Sequence, residues 1–287
     1  EVLCQKALYM AETRNQANVY ICTLFLMARI SGFQGDYDNM KYILQSMRKK
    51  VEITGENDKT FMVDLCEGFI FLLLGKSNGI PNWLKDEKII EKKCSVLSLT
   101  MANTIYGKYL LANEEYSKFL GISGQMIGAT KVYNNKLFEI YLYIYVTYAN
   151  YKLGNKLKAH KFLNEAIDLA KNDGFIIPFV ENYIMIEDVY EPDGKFQDRI
   201  NFMNDVIALY RKYEKNFKNV QHSYRDDVDY GLTNRELQIA KLAADRLSNK
   251  EIADQLYIAV GTVKSNLKTI FSKLQIKSRS ELKDFFN

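Results

Sequence analysis

Leu247-Ser248-Asn249-Lys250-Glu251-Ile252-Ala253-Asp254-Gln255-Leu256-Tyr257-Ile258-Ala259-Val260-Gly261-Thr262-Val263-Lys264-Ser265-Asn266-Leu267-Lys268 decides the fold of the C-terminal part of this 287-residue chain. Ser248 and Glu251 stand at capping-box spacing, in which a hydroxyl and a carboxylate satisfy each other's orphan amides at a helix start. From Val260, the apolar residues Val263, Leu267, Ile270, Phe271 and Leu274 recur every three or four positions and define one buried face. The other face carries Gly261, Lys264, Ser265, Lys268 and Ser272, polar and free of bulk. Only Tyr257, Ile258 and Ala259 separate this helix from the one before it. Two short helices joined so tightly form a helix-turn-helix, whose second helix enters the major groove while the first crosses the backbone. Thr233 with Glu236 and Ser278 with Glu281 repeat the box spacing and predict two further helix starts.

Charge agrees with periodicity. The chain has 39 Lys and Arg against 35 Asp and Glu, a net of +4. Residues 231–287 hold ten basic and six acidic side chains, so the whole excess lies there and residues 1–230 are balanced. Within the tail, Tyr257 to Ser280 contains Lys264, Lys268, Lys273, Lys277 and Arg279 and no acid. A concentrated positive stripe suits a polyanion, although charge alone would equally describe a solvated helix face. On the helix-turn-helix reading, Lys264 and Lys268 are base-edge or phosphate donors. Ser248, Asn249 and Lys250 then meet phosphate through side chains and free backbone amides at a helix start.

Leu232-Thr233 with Arg235-Glu236, Leu247 to Ala253, Leu256 with Ile258, Thr262-Val263-Lys264 and Lys273-Leu274 together resemble the LuxR-type (GerE-like) four-helix DNA-binding domain across the whole tail. The resemblance implies that Lys264, Ser265 and Lys268 fall on base-reading positions and that Lys250 and Thr262 contact the backbone. Two departures stand out. Ala259 replaces the serine that usually caps the recognition helix, a loss of about 1 kcal/mol of helix stability. Asn266 stands where histidine is common.

Upstream, a short turn with an amphipathic segment after it recurs at Gly35-Asp36-Tyr37, Gly75-Lys76-Ser77, Ala112-Asn113-Glu114 and Gly154-Asn155-Lys156, at intervals of 40, 37 and 42. Long apolar segments precede each turn: Val19–Ile30, Phe61–Leu74, Ser95–Leu111 and Phe138–Leu153. A period near forty predicts stacked helix pairs that bury their faces only against neighbours. Gly154 to Ala170 is similar to a tetratricopeptide (TPR) repeat, and Gly174-Phe175 with Pro178-Phe179 resembles the segment next to that repeat in large ATP-binding, MalT-like LuxR-family regulators. Those regulators place an ATP-binding module first, then a helical superhelix, then the LuxR-type tail. The chain, which begins at Glu1, reads as their C-terminal part.

The expected fold is therefore all-α: a TPR-like α-solenoid over 1–218, a polar linker over 219–230 and the LuxR-type domain over 231–287. Met203, Val206, Leu209 and Tyr210 predict one more helix ahead of the linker. Three prolines and fifteen glycines leave too little turn punctuation for a β-sandwich.

Other chemistries find little support. Cys4, Cys22, Cys66 and Cys94 lie far apart, and with only His160 and His222 to help them neither a zinc site nor a haem site is expected. Gly75-Lys76-Ser77 comes after an apolar run, but the phosphate-loop motif needs glycine at position 70, where isoleucine stands. Neither histidine has a nucleophile or carboxylate partner in sequence, so no enzyme is expected from this chain. Tyr141, Tyr145, Tyr148 and Tyr151 read as packing residues, whereas Tyr143 lies off their face and is the candidate for an effector. The longest apolar run, Phe69 to Leu74, is too short for a membrane span, and a cytoplasmic protein is expected. The function expected is sequence-specific binding of double-stranded DNA by a transcriptional regulator, as a homodimer, without cofactor, its repeats sensing a small molecule, peptide or protein. The competing reading is a peptide- or protein-binding scaffold in which DNA binding is secondary.

Overall fold

The computed structural model describes residues 2–54, 59–77, 79–192, 196–227, 232–274, 276 and 278–286, and among them there is no strand. The helices are α1 (Val2–Thr13), α2 (Ala17–Gln34), α3 (Tyr37–Thr54), α4 (Thr60–Leu73), α5 (Glu87–Lys93), α6 (Val96–Ala112), α7 (Tyr116–Val132), α8 (Lys136–Lys152) and α9 (Lys156–Lys171). They continue as α10 (Ile177–Glu181), α11 (Tyr183–Ile186), α12 (Gln197–Asp227), α13 (Asn234–Ala244), α14 (Asn249–Leu256), α15 (Val260–Leu274) and α16 (Lys283–Phe286). The chain divides into two compact units, Glu1–Val220 and Gln221–Asn287.

The first unit is a TPR-like solenoid. Sequence neighbours pair from α1 to α4 and from α5 to α9, and α2, α4, α6 and α8 also contact one another in turn, so each hairpin buries its face on the next. The repeat is sharper in backbone geometry than in sequence. Left-handed residues fall at Asn15, Gly35, Gly75, Glu114, Asn134, Gly154 and Gly174, at steps of 20, 40, 39, 20, 20 and 20 residues. Each step of about twenty is one helix and its turn. The register residue of the third turn is thus Glu114 rather than Ala112, and the 40, 37 and 42 spacing becomes 40, 39 and 40. Glutamate hides this position from a reading that looks for glycine. Gly75, with φ +74°, ends α4, so Gly75-Lys76-Ser77 is a helix terminus rather than a phosphate loop.

Aromatic side chains knit the row. Phe25 of α2 meets Phe69 of α4 edge-on at 5.5 Å, and Phe69 meets Tyr141 of α8 at 5.6 Å. Tyr145 packs on Phe119 and Tyr148 on Tyr116. Tyr143 is buried as well, its ring stacked on Phe162 of α9 at 6.0 Å with the Lys131 ammonium 5.8 Å from its centroid. Packing within the array therefore accounts for the residue that lies off the aromatic face, because α9 covers that side of α8.

A polar cluster is enclosed where the array meets residues 177–186. Glu181, whose side chain is fully buried, accepts from Arg29 of α2 at 2.6 Å and from the Tyr141 hydroxyl. Lys108 of α6 donates to Asn182 Oδ1 at 2.9 Å. Burial opposes the Arg29 charge, and Glu181 with Tyr141 outweighs it. Burial also pushes the Lys108 ammonium down to about 8; Glu181 pulls it up again and Arg29 adds to the depression. Helix α12 then packs Phe202 on Phe179 and Tyr210 on Tyr183 and brings Tyr213 and Phe217 onto Phe33 of α2.

Residues 219–230, read as a linker, are corrected in part. Those described, 219–227, continue α12 to Asp227, Val220 is fully buried, and the boundary between units falls after Val220. The stretch has neither glycine nor proline, and polar residues on a solvated face do not stop a helix. Cys4, Cys22, Cys66 and Cys94 are unpaired. No described helix is long and apolar enough to cross a membrane.

Candidate nucleic-acid interface

The second unit has its own core. Ile239, Ala240, Ala243 and Ala244 of α13, Ile252 and Ala253 of α14, Val263, Leu267 and Ile270 of α15, and Leu282 are buried together. The periodic apolar residues of α15 thus seat it on α13 and α14, as their spacing predicts. Two of the three anticipated capping boxes form. Thr233 Oγ1 accepts the Glu236 amide while the Thr233 amide donates to Glu236 Oε2 at 2.7 Å, and Ser248 exchanges the same pair with Glu251. The third does not close. The Ser278 hydroxyl donates to Glu281 Oε1 at 2.6 Å rather than accepting an amide, and a 3-10 turn, Arg279–Leu282, begins there. Side chain meeting side chain leaves no reciprocal amide bond, so only a short turn starts.

The outward face of α15 is the one the sequence marks. Thr262, Lys264, Ser265 and Lys268 are all exposed, as are Ser248 and Lys250 at the start of α14. Asn249 is half-buried, and its Oδ1 accepts from Arg279 at 2.8 Å. The Ser248 oxygen serves as helix cap. Asn266 Nδ2 folds back onto the Thr262 carbonyl at 2.8 Å, so its amide is engaged on its own helix. Ala259 stands at the head of α15, where its carbonyl accepts the Thr262 and Val263 amides at 2.9 and 3.2 Å.

The five-cation stripe divides. Lys264 and Lys268 face solvent. Lys273 instead donates to Glu236 Oε2 at 2.7 Å, and that bond, with the Thr233 amide next in weight, holds the Glu236 carboxyl below its ordinary value. Arg279 turns inward, its Nε to the Ala243 carbonyl at 3.3 Å and its Nη2 to the Leu247 carbonyl. Lys277 lies outside the described residues. Acid-free spacing in sequence could not separate these cations, since Glu236 is 37 residues from Lys273. A second arginine without an assigned role, Arg235, closes the C-terminal end of α14 by donating from Nη2 to the Leu256 carbonyl at 2.7 Å. Tyr257, the residue of the turn, is left-handed at φ 54° and 95 % exposed.

A helix held by its apolar stripe over a capped partner, with an uncrowded basic face outward, is the geometry of a groove-reading helix. Residues 231–286 match the family model for bacterial regulatory proteins of the luxR family. The C-terminal domain is a LuxR-family domain. Its relatives include the transcriptional regulatory protein LnrK of Bacillus subtilis (strain 168), 37% identical over 70 residues that make up 24% of this chain and 32% of that protein. The oxygen regulatory protein NreC of Staphylococcus haemolyticus is 38% identical over 71 residues, 23% of this chain and 33% of that protein. The HTH-type transcriptional regulator MalT of Serratia proteamaculans is 28% identical over 149 residues, 46% of this chain but 16% of that protein. The last likeness is longer than the LuxR-family domain and so reaches residues before it. The chain spans about a third or less of the length of these relatives.

Proposed function

We propose that this chain is the effector-sensing and DNA-binding part of a cytoplasmic transcriptional regulator of the large, MalT-like LuxR-family kind. It binds duplex DNA as a homodimer on related half-sites, and its helical array senses a small molecule, peptide or protein. One observation carries this reading: Lys264, Ser265, Lys268 and Thr262 stand exposed on one face of α15 while Val263, Leu267 and Ile270 fix its other face in the core. Phosphate neutralisation supplies affinity, and a few base contacts supply specificity. Lys264, Ser265 and Lys268 read bases; Ser248, Asn249, Lys250 and Thr262 meet the backbone. No catalytic role and no cofactor are assigned.

Selection of bound fragments from random duplexes, with titration of variants on the enriched sequence, tests the reading. Lys264→Ala relaxes the preference at one base position, by roughly 1–3 kcal/mol, whereas Lys250→Ala weakens all sequences alike. Equal losses on selected and random duplexes for Lys264→Ala would refute that division of roles, and failure to enrich any sequence would refute specific binding.

A further inference from the structure

Arg279 sits on the 3-10 turn beyond α15, and its guanidinium reaches three acceptors, one on α13, one in the connection after it and one on α14. Nε meets the carbonyl of Ala243 in the last turn of α13, Nη2 meets the carbonyl of Leu247 just before the cap, and Nη1 meets Oδ1 of Asn249, the first residue of α14. The backbone that presents it is fixed in turn, because Leu282, three residues on, is fully buried in the domain core. The connection being spanned needs such support. Arg246 is left-handed at φ 67°, and the Arg246 and Leu247 amides, bonded to the Ala243 and Leu242 carbonyls, close the end of α13. The three nitrogens of the planar fork each meet one of these acceptors in a fixed direction, whereas an ammonium carries its three donors on a single nitrogen and lacks that spread. A cation at the C-terminal end of α13 is also favoured by the carbonyl dipoles there.

We propose that Arg279 is a positioning residue for duplex binding: it clasps the end of α13 to the first turn of α14 and so sets where Ser248, Asn249 and Lys250 present themselves to a phosphate. The proposal rests on the duplex-binding reading above. It reverses the role that charge alone gives Arg279. Its guanidinium is turned toward carbonyl oxygens rather than outward, and it holds Asn249 Oδ1 so that this side chain keeps one orientation.

Salt titration separates positioning from contact, because each phosphate contact contributes about 0.9 to the slope of log K against log salt on a duplex. The full chain is titrated with its selected duplex over a series of salt concentrations as wild type, Arg279→Lys, Arg279→Gln and Asn249→Ala. Both Arg279 variants are expected to bind about tenfold more weakly at every salt concentration, with the wild-type slope, since both lose the fork and the charge that Arg279→Gln also loses is turned toward carbonyl oxygens rather than a phosphate. Asn249→Ala is expected to lose a few-fold, again with the slope unchanged. Wild-type affinity for Arg279→Lys, or a slope shallower by about 0.9 in either Arg279 variant, overturns the proposal. Should Arg279→Gln fail to fold, Asn249→Ala decides, since both carbonyl contacts remain in it; an undiminished affinity there overturns the proposal too. A wild-type chain that binds no duplex sinks the duplex-binding reading itself, whereas normal wild-type binding with an adverse Arg279 result sinks the positioning role alone, and an undiminished Asn249→Ala sinks that role together with the Asn249 backbone contact.

Discussion

Two lysines on the same helix make opposite predictions. Lys268 is exposed, and Lys268→Gln is expected to relax the preference at one base position by roughly 1–3 kcal/mol in titrations on selected and altered duplexes. Lys273 is paired to Glu236, so Lys273→Gln should leave that preference unchanged and act on the domain's stability instead. Linkage gives the sign. The Glu236 carboxyl is held below its ordinary value of 4.5, so its contribution is present above that pH and is lost as pH falls through the depressed value. Denaturant titrations below about pH 4.5 should therefore show a weaker acid dependence in Lys273→Gln than in wild type; equal dependence would disconnect the pair from stability. At this scale the periodicity of α15 tells which residues face outward, because a 3.6-residue turn converts spacing into direction. It does not tell which outward cation finds a carboxylate on another helix.

At the scale of the element, the turns of the array offer a matched pair. Gly154, at φ +78°, has nothing within 4 Å of where a Cβ would sit, so Gly154→Ala costs about 1 kcal/mol through backbone strain alone. Glu114 occupies the equivalent position at φ 59°, and Glu114→Gly should leave stability unchanged or raise it by as much as about 1 kcal/mol. Thermal melts of the two variants shifting in the same direction would contradict the register. A different constraint holds at Gly107 on α6, where a Cβ would come within 2.8 Å of the Phe119 ring of α7 and 3.5 Å of Tyr145 of α8. Gly107→Val is expected to cost about 1–3 kcal/mol by overpacking, read as a lowered melting temperature. Helix existence and the forty-residue period are legible from apolar runs and turn residues. The third turn lies two residues beyond the alanine that composition points to, and the polar end of α12 has the composition of a linker, because left-handed glutamate and solvated helix carry no mark in residue type alone.

At the scale of the whole first unit, Arg29 and Glu181 join helices 152 residues apart. Arg29→Met would leave the enclosed Glu181 carboxylate without its cation and should cost about 3–5 kcal/mol in urea unfolding of this unit; a loss below about 1 kcal/mol would mean that Tyr141 alone satisfies it. Lys108 sets a pH dependence of definite sign. Its folded value of about 8 lies below the ordinary 10.5, so between those limits the unfolded chain binds the extra proton and stability rises with pH. Lys108→Met should remove that rise when the two melting-temperature profiles are subtracted, and parallel profiles would exclude the effect.

The amino-acid sequence by itself determined the helical class, the repeat length, the helix-turn-helix and the identity of its outward face, since all of these come from spacing along one chain segment and the fixed pitch of a helix. Tertiary structure alone decided that Lys273 pairs with Glu236 while Arg279 turns inward, that Tyr143 is covered, and that Arg29, Lys108, Tyr141 and Glu181 share one enclosed cluster. Those pairings depend on which distant helices come to lie side by side, and the direction of a buried charge is set by the partner it meets there.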